Sequence, residues 1–342
     1  MTDGTTTGDR PSGTVLAEAA ATAGYAPSVH NTQPWRWRVR PGRLDLFADR
    51  TRQLRAVDPE SRLLMISCGT ALHHARVALA AAGWASEVDR LPDPDDPDLL
   101  ATLRGSGRTV ADAEVMQLVE AMPVRHTDRR PVSDRPVPAE ALARIEGSVA
   151  GLARLHVLTA DQVLELAAVA ARAASLQAHD PEIRAELDYW TTRAAGNGTG
   201  LPPEVLPTEF PQTTVPGRDF GRPGTLPVGP GHDRAASYAL LFGDGDDPVD
   251  WLIAGEALSA AWLTATVLGV SVLPLSGAVE VASTRQALRR IIAGLGYPYL
   301  VLRLGIPDPD HPGPPRTPRL PAEQLVDTAP VRATEPPTEE EA

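Results

Sequence analysis

Apolar residues recur at helical spacing from about Thr14 to Ala23 and stop at Gly24, which can take the left-handed conformation that ends a helix. Beyond a polar, proline-bounded loop, Trp37-Arg38-Val39-Arg40, Pro41-Gly42 and Leu44-Asp45-Leu46-Phe47 alternate apolar and polar positions around a turn pair, which predicts a hairpin. A second helix is expected from near Ser61 through Leu72, Val77 and Leu79 to Gly83. A strand from about Leu99 to Leu103 follows and ends at Arg104-Gly105. Further on, the pattern predicts helices at about Ala111 to Ala121 and Ala160 to Thr192, and a strand at Ser237 to Phe242. Leu252 to Leu275 reads as a buried helix followed by a strand, because Glu256, two glycines and a proline argue against a membrane span.

The second half of the chain repeats the order of the first. Gly69-Thr70-Ala71-Leu72 with Ala75 and Gly83 aligns on Gly255-Glu256-Ala257-Leu258 with Ala261 and Gly269, and Leu103-Arg104-Gly105 mirrors Arg303-Leu304-Gly305 at a strand end. Small residues at helical spacing let helices approach closely, so these two helices are expected at the centre of an interface between similar halves. A chance match between alanine-rich helices is the competing reading. Residues 196–231 are dense in proline and glycine with little periodicity, and Phe210, Phe220 and Leu226 supply apolar anchors. That combination fits a lid over a site, with a flexible linker as the alternative. The C-terminal residues 326–342, ending in an acidic run, are expected to be disordered.

Composition narrows the partners. The chain has 342 residues, 42% of them hydrophobic, and a formal charge of −12, enough for a large core and against a nucleic-acid partner, which needs a basic surface. All 32 basic residues are arginine, which removes Walker A loops and Schiff-base chemistry and leaves anion binding to guanidinium groups or backbone N–H. Cys68 is the only cysteine, so no intramolecular disulfide or thiolate metal cluster can form. The polar N-terminus shows no signal-peptide pattern, and a cytoplasmic protein without a membrane partner is expected. His73-His74 and the other histidines lack a companion at metal-ligand spacing.

Four segments carry candidate chemistry. Pro27 and Pro34 enforce an irregular loop between them, and Ser28, Asn31 and Gln33 add donors and acceptors beside Trp35, which suits the edge and face of a planar polar ring. Arg125-His126-Thr127-Asp128-Arg129-Arg130 places a hydroxyl between guanidinium forks that can bind phosphate. Leu273-Pro274-Leu275-Ser276-Gly277 is a turn after a strand, and Arg316-Thr317-Pro318-Arg319-Leu320-Pro321 is a basic segment near the C-terminus.

In that order the four segments resemble the nitroreductase family, FMN-dependent enzymes whose loop Pro-Ser-Ser-x-Asn-x-Gln-Pro-Trp, Arg-x-Ser/Thr-x-Lys/Arg motif and Pro-x-Glu-Gly turn surround the flavin. Val29 stands where many members carry a second Ser, leaving only its backbone N–H for a contact, and Ser276 replaces the usual Glu. The resemblance covers roughly residues 14 to 325 and is strongest to the Acg-like actinobacterial branch, in which two such halves are fused. It implies an α+β, nitroreductase-like fold of antiparallel-rich sheets flanked by helices, an intrachain pseudo-dimer with a lid. The halves would be 14–122 and 123–325.

Carried over residue by residue, the resemblance gives Pro27, Ser28, Val29, Asn31 and Gln33 from the first half to the FMN. The second half adds Arg125, His126, Thr127 and Arg129, the turn Pro274, Leu275, Ser276 and Gly277, and the basic pair Arg316 and Arg319. A reciprocal site is not expected, because Arg10-Pro11-Ser12-Gly13 lacks paired arginines and Pro92 is not followed by the Pro-x-x-Gly turn. One FMN per monomeric chain follows. The implied activity is NAD(P)H-dependent reduction of nitroaromatics, quinones or similar small acceptors, with the flavin carrying the chemistry. The rival is an FMN storage or sequestration protein whose lid shuts out nicotinamide.

Overall fold

Helices Arg62–Ala81 and Pro248–Val267 cross at the centre of the molecule because each carries a glycine where they meet. A Cβ added to Gly69 would lie 2.0 Å from the Leu252 carbonyl oxygen, and one added to Gly255 would lie 2.0 Å from that of Ile66. Only glycine admits backbones so close. Both helices then stop the same way, at Gly83 (φ +80°) and Gly269 (φ +69°), in the left-handed conformation.

The computed structural model describes residues 10–229, 231–310 and 313–332. In chain order, α1 (Gly13–Thr22) leads to the hairpin β1 (Trp35–Arg40) and β2 (Arg43–Ala48). The central helix α2 (Arg62–Ala81) follows, then β3 (Trp84–Arg90), β4 (Leu99–Arg108) and α3 (Ala113–Val124). The second half runs α4 (Ala139–Gly147), β5 (Arg154–Val157), α5 (Ala160–Ala178), α6 (Pro181–Thr191), β6 (Ser237–Gly243) and the central helix α7 (Pro248–Val267). It closes with β7 (Ser271–Leu275), α8 (Gly277–Glu280), α9 (Ala282–Ile291), β8 (Tyr297–Gly305), α10 (Ala322–Leu325), β9 (Val326–Asp327) and α11 (Ala329–Arg332).

Two sheets result, ordered β3-β4-β2-β1-β9 and β5-β6-β8-β7. Read from the strand after each central helix, both run in one order, β3-β4-β2-β1 and β7-β8-β6-β5. All pairings are antiparallel, as between Trp37 and Leu46 or Leu240 and Val301, except that β9 lies parallel to β1. One core fills the space between α1, α2 and the first sheet, and another surrounds α7 and the second sheet. Val77, Met122 and Leu263 join the halves beneath α3. α2 is long and apolar enough to cross a membrane by length and composition, yet it is mostly buried inside the protein, as a helix apolar on every side must be in a folded core.

The halves differ in their connections: β3 and β4 are joined by a short loop, whereas α8 and α9 stand between β7 and β8, and the larger difference lies between the first two strands of each half. β1 and β2 turn at Pro41-Gly42, whereas α5, α6 and residues 196–231 are inserted between the paired strands β5 and β6. The span expected as one helix from Ala160 to Thr192 is broken at Asp180-Pro181, where the Asp180 carboxylate accepts from the N–H groups of Glu182 and Ile183 and caps a new helix. β4 does not end at Gly105 but continues to Arg108 through a bulge opposite β3. The expectation of a disordered 326–342 is corrected for 326–332. Val326 pairs with Trp37 in the first sheet, and the apolar Leu325 beside it is buried in the first core. Residues 333–342, and Pro230 of the lid span, lie outside the described residues.

Candidate functional site

The loop after α1 adopts a backbone that few residues tolerate. His30 (φ +48°), Asn31 (φ +56°) and Gln33 (φ +50°) all take the left-handed conformation, which costs free energy and persists only where surrounding contacts over-determine it. Those contacts are present. Ser28 Oγ accepts from the Gln33 N–H (2.9 Å), and Gln33 Nε2 donates to the Gly198 carbonyl (2.7 Å) while its Oε1 accepts from the Leu320 N–H (3.0 Å). Asn31 Nδ2 donates to the carbonyls of Gly200 (3.1 Å) and Pro318 (2.8 Å), and its Oδ1 accepts from Arg319 Nη1 (3.1 Å). The two amides therefore staple the start of the 196–231 span and the C-terminal basic segment onto the first half.

This loop forms one wall of a cavity of about 680 Å³ between the halves. The second wall is the loop that follows α3, where His126 also lines the cavity. Arg125, Thr127 and Arg129 line the cavity, while Asp128 turns away and pairs with Arg130 (2.7 Å). Buried Arg303 fixes this loop by donating to the Asp128 and Arg130 carbonyls (2.8 Å each) and pairing with Asp233 (2.8 Å). The segment Pro274–Gly277, where β7 passes into α8, makes the third wall, and Leu201 to Gly221 of the inserted span closes the fourth. That span is fastened by its own core of Leu201, Val205, Leu206 and Phe220 and by an ion pair from Arg218 to the buried Glu280.

The electrostatics of the cavity are one-sided. Arg125 is buried over Trp262, 4.5 Å from the ring centroid, and both Arg125 and Arg319 donate to the same Tyr25 carbonyl (3.2 and 3.3 Å). Neither guanidinium, nor that of Arg129, has a carboxylate within ion-pair distance among the described residues, and the Nε of Arg125 and of Arg319 is buried without a hydrogen bond. Burial, and then the charge of Arg319, pushes the Arg125 pKa well below its usual range. Burial brings Arg129 and Arg319 down to about 10, so both remain cationic at neutral pH. Unpaired buried cations are costly in an empty protein and are offset when an anion binds.

Arg129 lies under the inserted span, donating to the Val205 carbonyl (3.2 Å) and facing the Phe220 ring at 5.4 Å. Beside it His30 is held neutral, by burial first and then by the charges of Arg218 and Arg129. Its Nε2 is buried without a partner.

Thirteen of the fifteen expected residues line this one cavity: the named members of Pro27–Asn31, Arg125–Arg129 and Pro274–Gly277, together with Arg319. Gln33 is fully buried and acts through its staples, and Arg316 is exposed and off the cavity. The Val29 N–H, expected to serve a ligand, is already donated to Ser67 Oγ (3.3 Å), so Val29 offers only an apolar surface. His30, Tyr25, Trp262 and Arg218 were not expected. His30 sits inside the recognised loop, but its burial depends on residues from the distant inserted span. No group of side chains with metal-binding character occurs among the described residues.

No family model matches the chain. A Mycobacterium tuberculosis (strain ATCC 25618 / H37Rv) protein provisionally named an NAD(P)H nitroreductase is 42% identical over 309 residues, spanning 88% of this chain and 88% of the relative. A second protein of that strain, provisionally named the NAD(P)H nitroreductase acg, is 34% identical over 316 residues, spanning 91% of this chain and 95% of its own length. Among solved structures, the nitroreductase with bound FMN from Bacteroides fragilis NCTC 9343 is 14% identical, covers 57% of this chain and 90% of its own, and has a TM-score of 0.35.

Proposed function

Because the chain belongs to the nitroreductase family, in its Acg-like branch, we propose that it binds one FMN in the cavity between its halves and takes reducing equivalents from NAD(P)H. It delivers them to small acceptors such as nitroaromatics or quinones, the two half-reactions alternating at one site. The division into nitroreductase-like halves near residues 122 and 123, and action as a single-chain pseudo-dimer, are part of the same proposal. The repeated strand order supports them.

The observation that carries this reading is the Arg125–Arg319 pair, a buried and a half-buried guanidinium group sharing one carbonyl, each with a buried, unbonded Nε–H. A phosphate satisfies such donors bidentately. The cavity volume fits a cofactor-sized ligand, and Val29, Ile66, Leu258, Trp262 and Leu275 give it apolar walls suited to a flat ring. Bound FMN would supply the two-electron redox chemistry. The chain's residues bind, orient and enclose. Arg125 and Arg319 hold the phosphate end, with Thr127 beside them. Arg129 sets an unpaired positive charge under the lid, which favours a ligand that gains negative charge on reduction. Neutral His30 offers one Nε2 hydrogen-bonding position in the same region.

The fastening of residues 196–231 favours a second reading, storage of a flavin from which nicotinamide is excluded. Four backbone hydrogen bonds between residues 203–208 and 224–226, including Thr208 N–H to Leu226 O (2.9 Å) and Gly224 N–H to Pro207 O (2.7 Å), add to the Arg218–Glu280 pair. Anaerobic mixing of the FMN-loaded protein with NADPH separates the readings. The reductase bleaches its flavin absorbance rapidly. If the protein keeps its colour while Arg218→Ala bleaches, the lid occludes and storage stands. A chain that takes up no FMN rejects both.

A further inference from the structure

The axis relating the two halves passes between the central helices, and the residues on it show where the cavity has a counterpart. Gly69 meets Gly255, and His73 Nδ1 meets Ser259 Oγ at 2.8 Å, each residue standing four past its glycine. Glu256 follows Gly255 as Thr70 follows Gly69, and Arg76 stands seven past Gly69 as Trp262 stands seven past Gly255. Arg90 is the last residue of β3, as Leu275 is of β7. Thr70, Trp262 and Leu275 all line the cavity. Their counterparts Glu256, Arg76 and Arg90 are in mutual contact, with Arg76 Nη1 2.6 Å from Glu256 Oε2 and Arg90 Nη2 2.6 Å from Glu256 Oε1.

We infer that Arg76, Arg90 and Glu256 fill the symmetry-related second ligand position, with the Glu256 carboxylate acting as a built-in anion for two guanidinium groups. Glu256 is fully buried, whereas Arg76 and Arg90 keep 32% and 22% of their side-chain exposure, so solvent reaches this place from one side. The loop that would complete a second site is also missing. Between α4 and β5 the chain reads Ser148-Val149-Ala150-Gly151-Leu152-Ala153, without the amides that Asn31 and Gln33 supply in the first half. Taking away the internal carboxylate turns the plug into a binding site for a small carboxylate. Acetate has the four heavy atoms that Glu256→Ala removes.

Thermal unfolding of the full chain in acetate, against chloride at matched ionic strength, tests this. Glu256→Ala is expected to gain roughly 2–4 °C at an acetate concentration ten times its Kd, while the wild type and the charge-neutral Arg76→Leu/Arg90→Leu/Glu256→Ala variant gain nothing. Glu256→Ser, which restores only one of the removed heavy atoms and so leaves most of the space open, is expected to fold and to respond more weakly, and it decides the matter if Glu256→Ala does not yield soluble protein. A flat response in both single variants overturns the inference, as does an equal response in the charge-neutral variant. FMN uptake at the main cavity is read on the same samples and is expected to stay unchanged, so the plug can fail without the proposed function failing, and the reverse.

Discussion

The two halves share their strands and differ in their connections, and Arg125, Arg129 and Arg319 of the cavity fall on the connections. The first half is tightly closed, with Pro41-Gly42 joining β1 to β2 and Asp49 tying the end of that hairpin through Arg36 (3.0 Å) and Arg52 (2.7 Å). The second half opens the corresponding connection and inserts two helices and a lid. Its loop after α3 carries Arg125, Arg129 and Arg130, where Arg10-Pro11-Ser12 of the first half has a single arginine. The strands and the crossed helices therefore act as a common frame that sets distances; asymmetric loops wall the open position, while side chains of the frame itself, Arg76, Arg90 and Glu256, meet at the equivalent one.

The strongest way to break that comparison is to strip the open position of its cations. Arg125→Ala/Arg319→Ala is expected to weaken FMN binding by roughly 10²- to 10⁴-fold, from about 1.5–3 kcal/mol for each charge-assisted contact. Apo-protein stability should not fall, because the change removes like charges buried side by side. Flavin fluorescence titration and thermal melts of the apo-protein read the two effects. Unchanged FMN affinity would take the function off the asymmetric loops.

The shared frame is tested next. Gly69→Ala and Gly255→Ala each drive a methyl group into a backbone carbonyl of the other helix and are expected to cost about 3 kcal/mol or more. Denaturant titration should give similar losses for the two, since the clash is the same on both sides of the axis. A large inequality would deny the symmetry on which the second position was located.

The smallest effect concerns the compact half. Burial raises the Asp49 pKa, but hydrogen bonds from Thr51 and Arg52 outweigh it, with the charges of Arg52 and Arg36 added, and hold it at about 2 against 3.8 in the unfolded chain. A depressed carboxylate stabilises the fold fully above pH 3.8 and loses that contribution as pH falls toward 2. Asp49→Asn should therefore cost about 2 kcal/mol at pH 7, and the gap from the wild type should close between pH 4 and pH 2. A gap that persists at pH 2 would mean that the hairpin end is held by packing rather than by charge.

Much of the site was legible because its parts are short and local. A proline-bounded amide loop, an Arg-x-Thr-x-Arg string and a Pro-x-Ser-Gly turn each carry their chemistry within a few residues. What the amides do was not legible. Asn31 and Gln33 look like ligand donors in sequence, yet they spend their hydrogen bonds on Gly198, Gly200, Pro318 and Leu320, more than 160 residues away. His30 gave no local signal, since its neutrality arises from burial and from Arg218 and Arg129. The short strand β5 and the charged edge strand β3 also escaped the pattern, because few of their residues are fully buried.

By itself the sequence determined the halves' repeated order, the glycines at the helix crossing, the all-arginine cation set and the loops that can meet an anion. These are properties of spacing and residue type. Tertiary structure alone decided which cations stay unpaired, because pairing depends on which carboxylate lies within reach after folding: Glu256 reaches Arg76 and Arg90, while no described carboxylate reaches Arg125 or Arg319. Desolvation acts only once the cavity walls are assembled, so the same residue type is neutralised on one side of the axis and left without a counter-charge on the other.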